Sequence, residues 1–272
     1  MFFERVWEAL EAQNSSDKIA LTNALYDDFL GGEFDGFTSN EAPKVQQNPS
    51  CAAFCEIVGA RGVLKRRNLS QNEGKQVFLH AVTHIEYSAI DLALDACYTF
   101  RGLPREFYAD WLEVAKEECG HFLMLESLLN KVGAKYGDYP VHISLFEACR
   151  KADTLLKRMA AIPRYLEAGG LDANKKMVER VKNAGGELVD EIVQALGVIL
   201  RDEIDHVKKG TRWFYYACEQ NGVSPDVYFD TVDEVLPNSI KPKDDINVED
   251  RLKAGFKCEE IKKIIGKETV PC

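Results

Sequence analysis

Two copies of one four-residue pattern contain the residues of this sequence that are best suited to chemistry. Glu118 and His121 form the first Glu-x-x-His motif, and Glu203 and His206 form the second. Residues three apart lie on the same face of an α-helix, so each motif would present a carboxylate and an imidazole side by side. Both groups are ligands of divalent first-row metals. The two motifs therefore predict a site for a pair of metal ions between packed helices.

A site of this kind in a four-helix protein takes one further glutamate from each of two other helices. Glu86 lies at the centre of the apolar stripe of a helix predicted over residues 75–100. Glu167 continues the apolar stripe of a later segment, whereas the competing Glu147 projects to a different side. We predict six metal ligands, of which the four glutamates are also the catalytic candidates: Glu86, Glu118, His121, Glu167, Glu203 and His206.

Two alternatives bear on this ligand set. A single buried glutamate most often pairs with Arg or Lys, so the prediction depends on the order Glu, Glu-x-x-His, Glu, Glu-x-x-His over four helices. His80 and His84 have the spacing of zinc ligands but fall on the side of their helix opposite Glu86, and no second set of ligands accompanies them in the sequence. We interpret these two histidines as part of a polar helix face or as outer partners of the metal ligands.

The order and spacing of the six residues resemble the ferritin-like di-iron carboxylate superfamily. An uncharacterised ferritin-like family of microbial proteins is more closely similar, through the segments HAVTHIEYSAIDLALDACYTF, PRYLEAGGLDA, LRDEIDHVKKGTRWF and INVEDRLKAGF. This resemblance runs from about residue 75 to residue 256 and supports Glu167 over Glu147. It implies a ferritin-like fold and a metal site, and it names no substrate.

We predict an all-α chain, with a ferritin-like four-helix bundle, an N-terminal wrapping segment and a C-terminal helical extension. Residues 1–74 are a helical lead-in followed by an irregular segment rich in Gly, Asn, Pro and Ser. Residues 75–224 are the bundle with its dinuclear metal site. Residues 225–272 are the extension, which ends in a short amphipathic helix or helical pair that packs on the bundle rather than acting as a lid.

Periodicity predicts the remaining helices. Two long helices are expected over residues 105–132 and 187–220, and a short one over 173–183. Pro163 should kink its helix or open the hydrogen-bond ladder, because proline lacks an N–H. Gly169 and the glycine after it indicate a helix end.

Composition limits the partners and the compartment. A net charge of −10 and a pI near 5.1 argue against nucleic acid as a general partner, and we interpret the basic cluster at residues 61–67 as a solvated surface. The eight cysteines contain no Cys-x-x-Cys, so we expect reduced thiols. Neither a secretory signal nor a membrane-length apolar run is present, which favours a cytoplasmic, reducing location.

Four ionised carboxylates balance two divalent cations, so the filled site can be buried. Two iron ions are the expected cofactor and manganese is the second choice, with Asp202 and Glu117 as candidate partners of metal-bound histidines. The predicted function is an oxidoreductase that activates O₂ or peroxide, as an oxygenase or hydroxylase of an unidentified small molecule with an unidentified electron donor. The alternatives are a ferroxidase or peroxide-detoxifying protein and a non-enzymatic, metal-stabilised binding module. A homodimer is left open.

Overall fold

A computed structural model describes residues 1–267 and Cys272. Regular structure in this part of the chain is helical, and its β structure is one isolated bridge between Ile57 and Val141. The predicted all-α class is therefore confirmed. The chain divides into two compact units: unit 1 is Met1–Phe146 with Ala184–Ala195, and unit 2 is Glu147–Asn183 with Leu196–Cys272. The ferritin-like arrangement and the division at residues 74 and 224 remain predictions.

Unit 1 contains two short helices, two long helices that pack along each other, and the first residues of the helix that begins at Val189. The Asn14 side chain accepts the N–H of Asp17 and so caps the start of the second helix. The long helices begin and end within three residues of the predicted positions. The four helices are α1 (Phe2–Leu10), α2 (Ser15–Gly31), α3 (Asn72–Thr99) and α4 (Arg105–Lys131).

A buried ion pair joins the short helices of unit 1 to α3. Lys18 Nζ donates to Asp91 Oδ1 at 2.5 Å and to the carbonyl oxygen of Leu10 at 2.9 Å. Ser50 Oγ donates to Asp91 Oδ2 at 2.8 Å from the irregular segment after α2, where a 3₁₀ turn covers Ser50–Ala53. The Lys18 side chain is fully buried. One carboxylate on α3 therefore holds both α2 and the irregular segment.

His80 and His84 on α3 are buried, so they do not belong to a solvated helix face. The chain after α4 covers them: Gly137 N–H donates to His80 Nε2 at 3.0 Å, and the His84 ring nitrogens lie 2.8 Å from Tyr136 Oη and 2.9 Å from the His142 carbonyl oxygen. Burial lowers the pKa of His80 to about 4. Both histidines serve to attach this chain segment to α3.

Unit 2 contains several short helices, one distorted segment and most of the longest described helix, Val189–Asn221. Residues Ile162–Glu167 form a π-helix that contains Pro163, which confirms that the hydrogen-bond ladder opens there. The predicted helix end at Gly169 is wrong, since the helix continues through it without a positive φ. The α-helices are α5 (Ser144–Lys151), α6 (Leu155–Ala161), α7 (Ala168–Ala184), α8 (Val189–Asn221), α9 (Tyr228–Val235), α10 (Val248–Lys253) and α11 (Cys258–Ile265). The last two are the expected helical pair.

Cysteines occur in two states. Cys258 and Cys272 form a disulfide with their Cα atoms 5.9 Å apart, so the expectation of reduced thiols is wrong for this pair. The other six are free and buried: Cys51, Cys55, Cys97, Cys119, Cys149 and Cys218. Burial raises the thiol pKa values of Cys51 and Cys119 to about 12.

Among the described residues, no helix has both the length and the apolar character that crossing a membrane requires.

Candidate metal centre

Three of the six predicted ligands meet inside unit 1. Glu86 comes from α3, and Glu118 and His121 come from α4. The Nδ1 atom of His121 lies 3.2 Å from Glu86 Oε2 and 3.2 Å from Glu118 Oε2. Each residue places one ligand atom within 4.8 Å of the others, and all three are buried. The first Glu-x-x-His motif and the first lone glutamate therefore form one cluster.

Regular helix geometry produces this convergence. Glu118 and His121 are three residues apart on an uninterrupted helix, so they share a face of α4. Glu86 lies between the buried residues Val82 and Ile90, which pack the same face of α3 into the core. The apolar neighbours bury the helices, and the three polar side chains are buried with them.

Charge within the cluster is strongly perturbed. Burial raises the pKa of Glu86 to about 7, and repulsion from Glu118 acts in the same direction, against the opposing contact with His121. Burial lowers the pKa of His121, but the hydrogen bonds to Glu118 and Glu86 outweigh it and raise that pKa to about 12. Both shifts have one cause: two carboxylates buried together need a cation between them.

The donor set fits a divalent metal ion. Two carboxylates and one imidazole are hard and borderline ligands of the type that iron, manganese and zinc accept. With His121 neutral, Glu86 and Glu118 contribute two negative charges, which one divalent cation balances. The imidazole directs Nδ1 at the carboxylates, so Nδ1 is the nitrogen that faces such an ion. The buried cluster is therefore able to hold a metal.

The other three predicted ligands lie in unit 2. Glu203 and His206 share one face of the regular helix α8, where His206 is fully buried and Glu203 is partly buried. Glu167 is the last residue of the π-helix and is also partly buried, whereas its competitor Glu147 on α5 is exposed. Exposure of Glu147 favours Glu167 as the fourth carboxylate.

Close packing joins the π-helix to α8 within unit 2. A Cβ atom at Gly210 would lie 2.4 Å from Pro163 Cβ, so glycine is required for the proline ring to approach the helix. Gly210 follows His206 by one turn of α8. The segment that carries Glu167 therefore packs directly on the helix that carries Glu203 and His206. The proposed roles of Asp202 and Glu117 remain predictions.

An all-α fold with a buried Glu–Glu–His cluster defines a helical protein equipped to hold a metal ion. The chain belongs to the family described as "Protein of unknown function (DUF455)", whose model matches residues 11–262 and so covers all six predicted ligands. An uncharacterized protein of Haemophilus influenzae is 34% identical over 273 residues, which cover 96% of this chain and 92% of that protein. No solved structure matches the chain significantly.

Proposed function

We propose that this chain is a dinuclear metal carboxylate protein that acts as an oxidoreductase on O₂ or peroxide. The observation that carries the proposal is the buried cluster of Glu86, Glu118 and His121, whose ligand atoms converge within 4.8 Å. The second Glu-x-x-His motif and Glu167 repeat the same ligand types in unit 2. Two such sets in one chain match the ligand requirement of a two-metal carboxylate site.

The proposed ligands are the six residues predicted from the sequence. Glu86, Glu118 and His121 belong to unit 1, and Glu167, Glu203 and His206 belong to unit 2. Iron is the proposed metal because four carboxylates and two imidazoles leave positions for an exchangeable ligand, with manganese as the second choice. When bound, a pair of iron ions supplies redox chemistry with O₂ or peroxide, which the side chains lack.

The protein's own residues supply burial and orientation. Burial of Glu86 and Glu118 keeps water from competing with a bound ion, and it makes the carboxylates strongly attractive to a cation. Without a metal ion, Glu118 and Glu86 hold the His121 ring so that its Nδ1 points toward both carboxylates, which is the orientation that a bound ion would need.

Metal analysis tests the proposal most directly. Protein purified without added metal is expected to contain about two iron or manganese ions per chain. Glu118→Ala and Glu203→Ala should each lose most of this metal, since each removes a ligand from one motif. Glu147→Ala is the matched control, because that glutamate is exposed on α5, and it should retain the metal. One zinc ion per chain, or equal metal loss in Glu147→Ala, would refute the proposal.

Oxygen reactivity separates the possible activities. Protein loaded anaerobically with Fe²⁺ is exposed to O₂ while the visible absorption spectrum and the O₂ consumed per chain are recorded. A spectral change with a fixed, small consumption of O₂ supports an oxidoreductase. Iron that accumulates beyond two ions per chain would instead indicate a ferroxidase. No spectral change in metal-loaded protein would leave a metal-stabilised binding module.

A further inference from the structure

The π-helix that presents Glu167 lacks part of its own backbone support. Pro163 has no N–H to donate, and the wider turn of a π-helix replaces the regular ladder over Ile162–Glu167. A segment of this kind persists where tertiary contacts hold its conformation. The position of Glu167 therefore depends on contacts made by the neighbouring residues.

Arg164 makes the strongest of these contacts, and its side chain is fully buried. Its guanidinium donates two parallel hydrogen bonds to Glu260 of α11, at 3.0 Å from Nη1 to Oε1 and 2.9 Å from Nη2 to Oε2. Its planar face also packs near aromatic rings, including those of Tyr228 and Phe256 at 4.5 Å and 4.6 Å from Cζ. Bidentate pairing and aromatic packing fix both the position and the plane of this side chain.

A second contact fixes the position of Arg164 relative to α8, the helix that carries Glu203 and His206. Arg164 Nε donates to Thr211 Oγ1 at 3.1 Å, and Thr211 Oγ1 donates to the carbonyl oxygen of Ala254 at 2.9 Å. Thr211 follows His206 by five residues on α8. Tyr228 Oη donates to the Arg164 carbonyl oxygen at 2.8 Å, so the backbone of the π-helix is held as well.

We infer that Arg164, held by Glu260 of the C-terminal helix, is a positioning residue that fixes the π-helix and thereby sets Glu167 against α8. The effect on metal binding through Glu167 rests on the proposed function. The claim that Arg164 fixes the π-helix does not depend on a metal ion. The C-terminal extension then has a defined role, because α11 supplies the carboxylate that orients a segment of the metal centre.

Glu260→Gln tests the inference, because it removes the charge of the pair and leaves the shape of the side chain nearly unchanged. Hydrogen exchange of metal-free protein, followed by mass spectrometry on peptides that cover residues 162–167, should be at least about tenfold faster than in the wild type. Titration with Co²⁺, followed by visible absorption, should show an affinity about 10- to 100-fold lower and an altered spectrum.

Glu234→Gln is the matched control. Glu234 forms an ion pair with Lys157 of α6 at 2.7 Å, next to the π-helix along the chain, but it is 62% exposed. Its exchange rate and Co²⁺ affinity should stay within about twofold of the wild type. If Glu260→Gln does not fold, Thr211→Val removes the hydrogen bond from Arg164 Nε, together with the one to the Ala254 carbonyl oxygen, and should show the same changes, reduced in size.

Each outcome decides either the positioning role of Arg164 or the proposed metal-binding function. Unchanged exchange over residues 162–167 in Glu260→Gln would overturn the inference. Faster exchange with unchanged Co²⁺ affinity and spectrum would also overturn it, since Arg164 would then be structural without positioning a ligand. Wild-type protein that binds no Co²⁺ would refute the proposed function instead, and the exchange result would still decide whether Arg164 fixes the π-helix.

Discussion

The two halves of the predicted ligand set are held in different ways. In unit 1, Glu86, Glu118 and His121 extend from long, regular helices, and the apolar stripes of these helices are enough to bring the ligand atoms together. In unit 2, Glu167 extends from a π-helix whose conformation depends on Arg164 and on neighbouring helices. The same ligand chemistry is thus supported by helix periodicity in one unit and by specific tertiary contacts in the other.

The largest effect is expected from the buried ion pair of unit 1. Lys18→Met leaves the Asp91 carboxylate buried without its cation, and this change should lower the free energy of unfolding by about 3–5 kcal/mol. Chemical denaturation measures the loss. Arg5→Gln is the control, since Arg5 and Asp28 form a pair that is more than one-third exposed, and it should cost about 0–1 kcal/mol. Similar losses in both variants would show that burial does not distinguish the two pairs.

Acid should weaken unit 1 through His80. The pKa of this buried imidazole is about 4, below its ordinary value of 6.5, so the unfolded chain binds more protons between these two pH values. The stabilisation is complete above pH 6.5 and is lost as the pH falls to about 4, at a cost of about 3 kcal/mol. Denaturation curves of His80→Gln, which keeps an acceptor for Gly137 N–H, should lack this share of the pH dependence. A variant with the wild-type slope would contradict the assignment.

A smaller effect should follow from filling the contact between the π-helix and α8. Gly210→Ala places a methyl group 2.4 Å from Pro163 Cβ, and the π-helix must shift. We expect the free energy of unfolding to fall by about 1–3 kcal/mol, together with a loss of metal affinity. Gly197→Ala is the matched change on the same helix, where no atom lies within 4 Å of the new Cβ. It should stabilise the protein by about 0.5–1 kcal/mol, and the opposite order would exclude close packing at Gly210.

Most of the fold could be predicted from periodicity. The apolar stripes of α3 and α4 placed both helices within three residues of their observed ends, and the Gly- and Pro-rich composition correctly indicated the irregular segment before α3. The predicted helix end at Gly169 was wrong because a glycine commonly ends a helix where the chain adopts a positive φ, and here the helix continues without one. Whether a glycine ends a helix therefore depends on the tertiary packing around it, which the local sequence pattern does not contain.

Helix periodicity accounts for more of the candidate site in unit 1 than in unit 2. The ligand atoms of Glu86, Glu118 and His121 lie close together, as helix periodicity alone suggests, and their role as metal ligands stays a prediction. The role of Arg164 could not be predicted, because Glu260 lies 96 residues further along the chain. Its one local signal is a charged residue directly after Pro163 in an otherwise apolar stretch, a position that is costly without a distant partner.

The six buried thiols allow local opening of the protein to be measured through their reaction with a reagent. Four of them, Cys51, Cys55, Cys97 and Cys119, belong to unit 1, and Cys149 and Cys218 belong to unit 2. A thiol buried in the core reacts with an alkylating reagent only after its surroundings open. The rates at which the individual cysteines gain mass would therefore measure the opening of each unit separately, without any substitution.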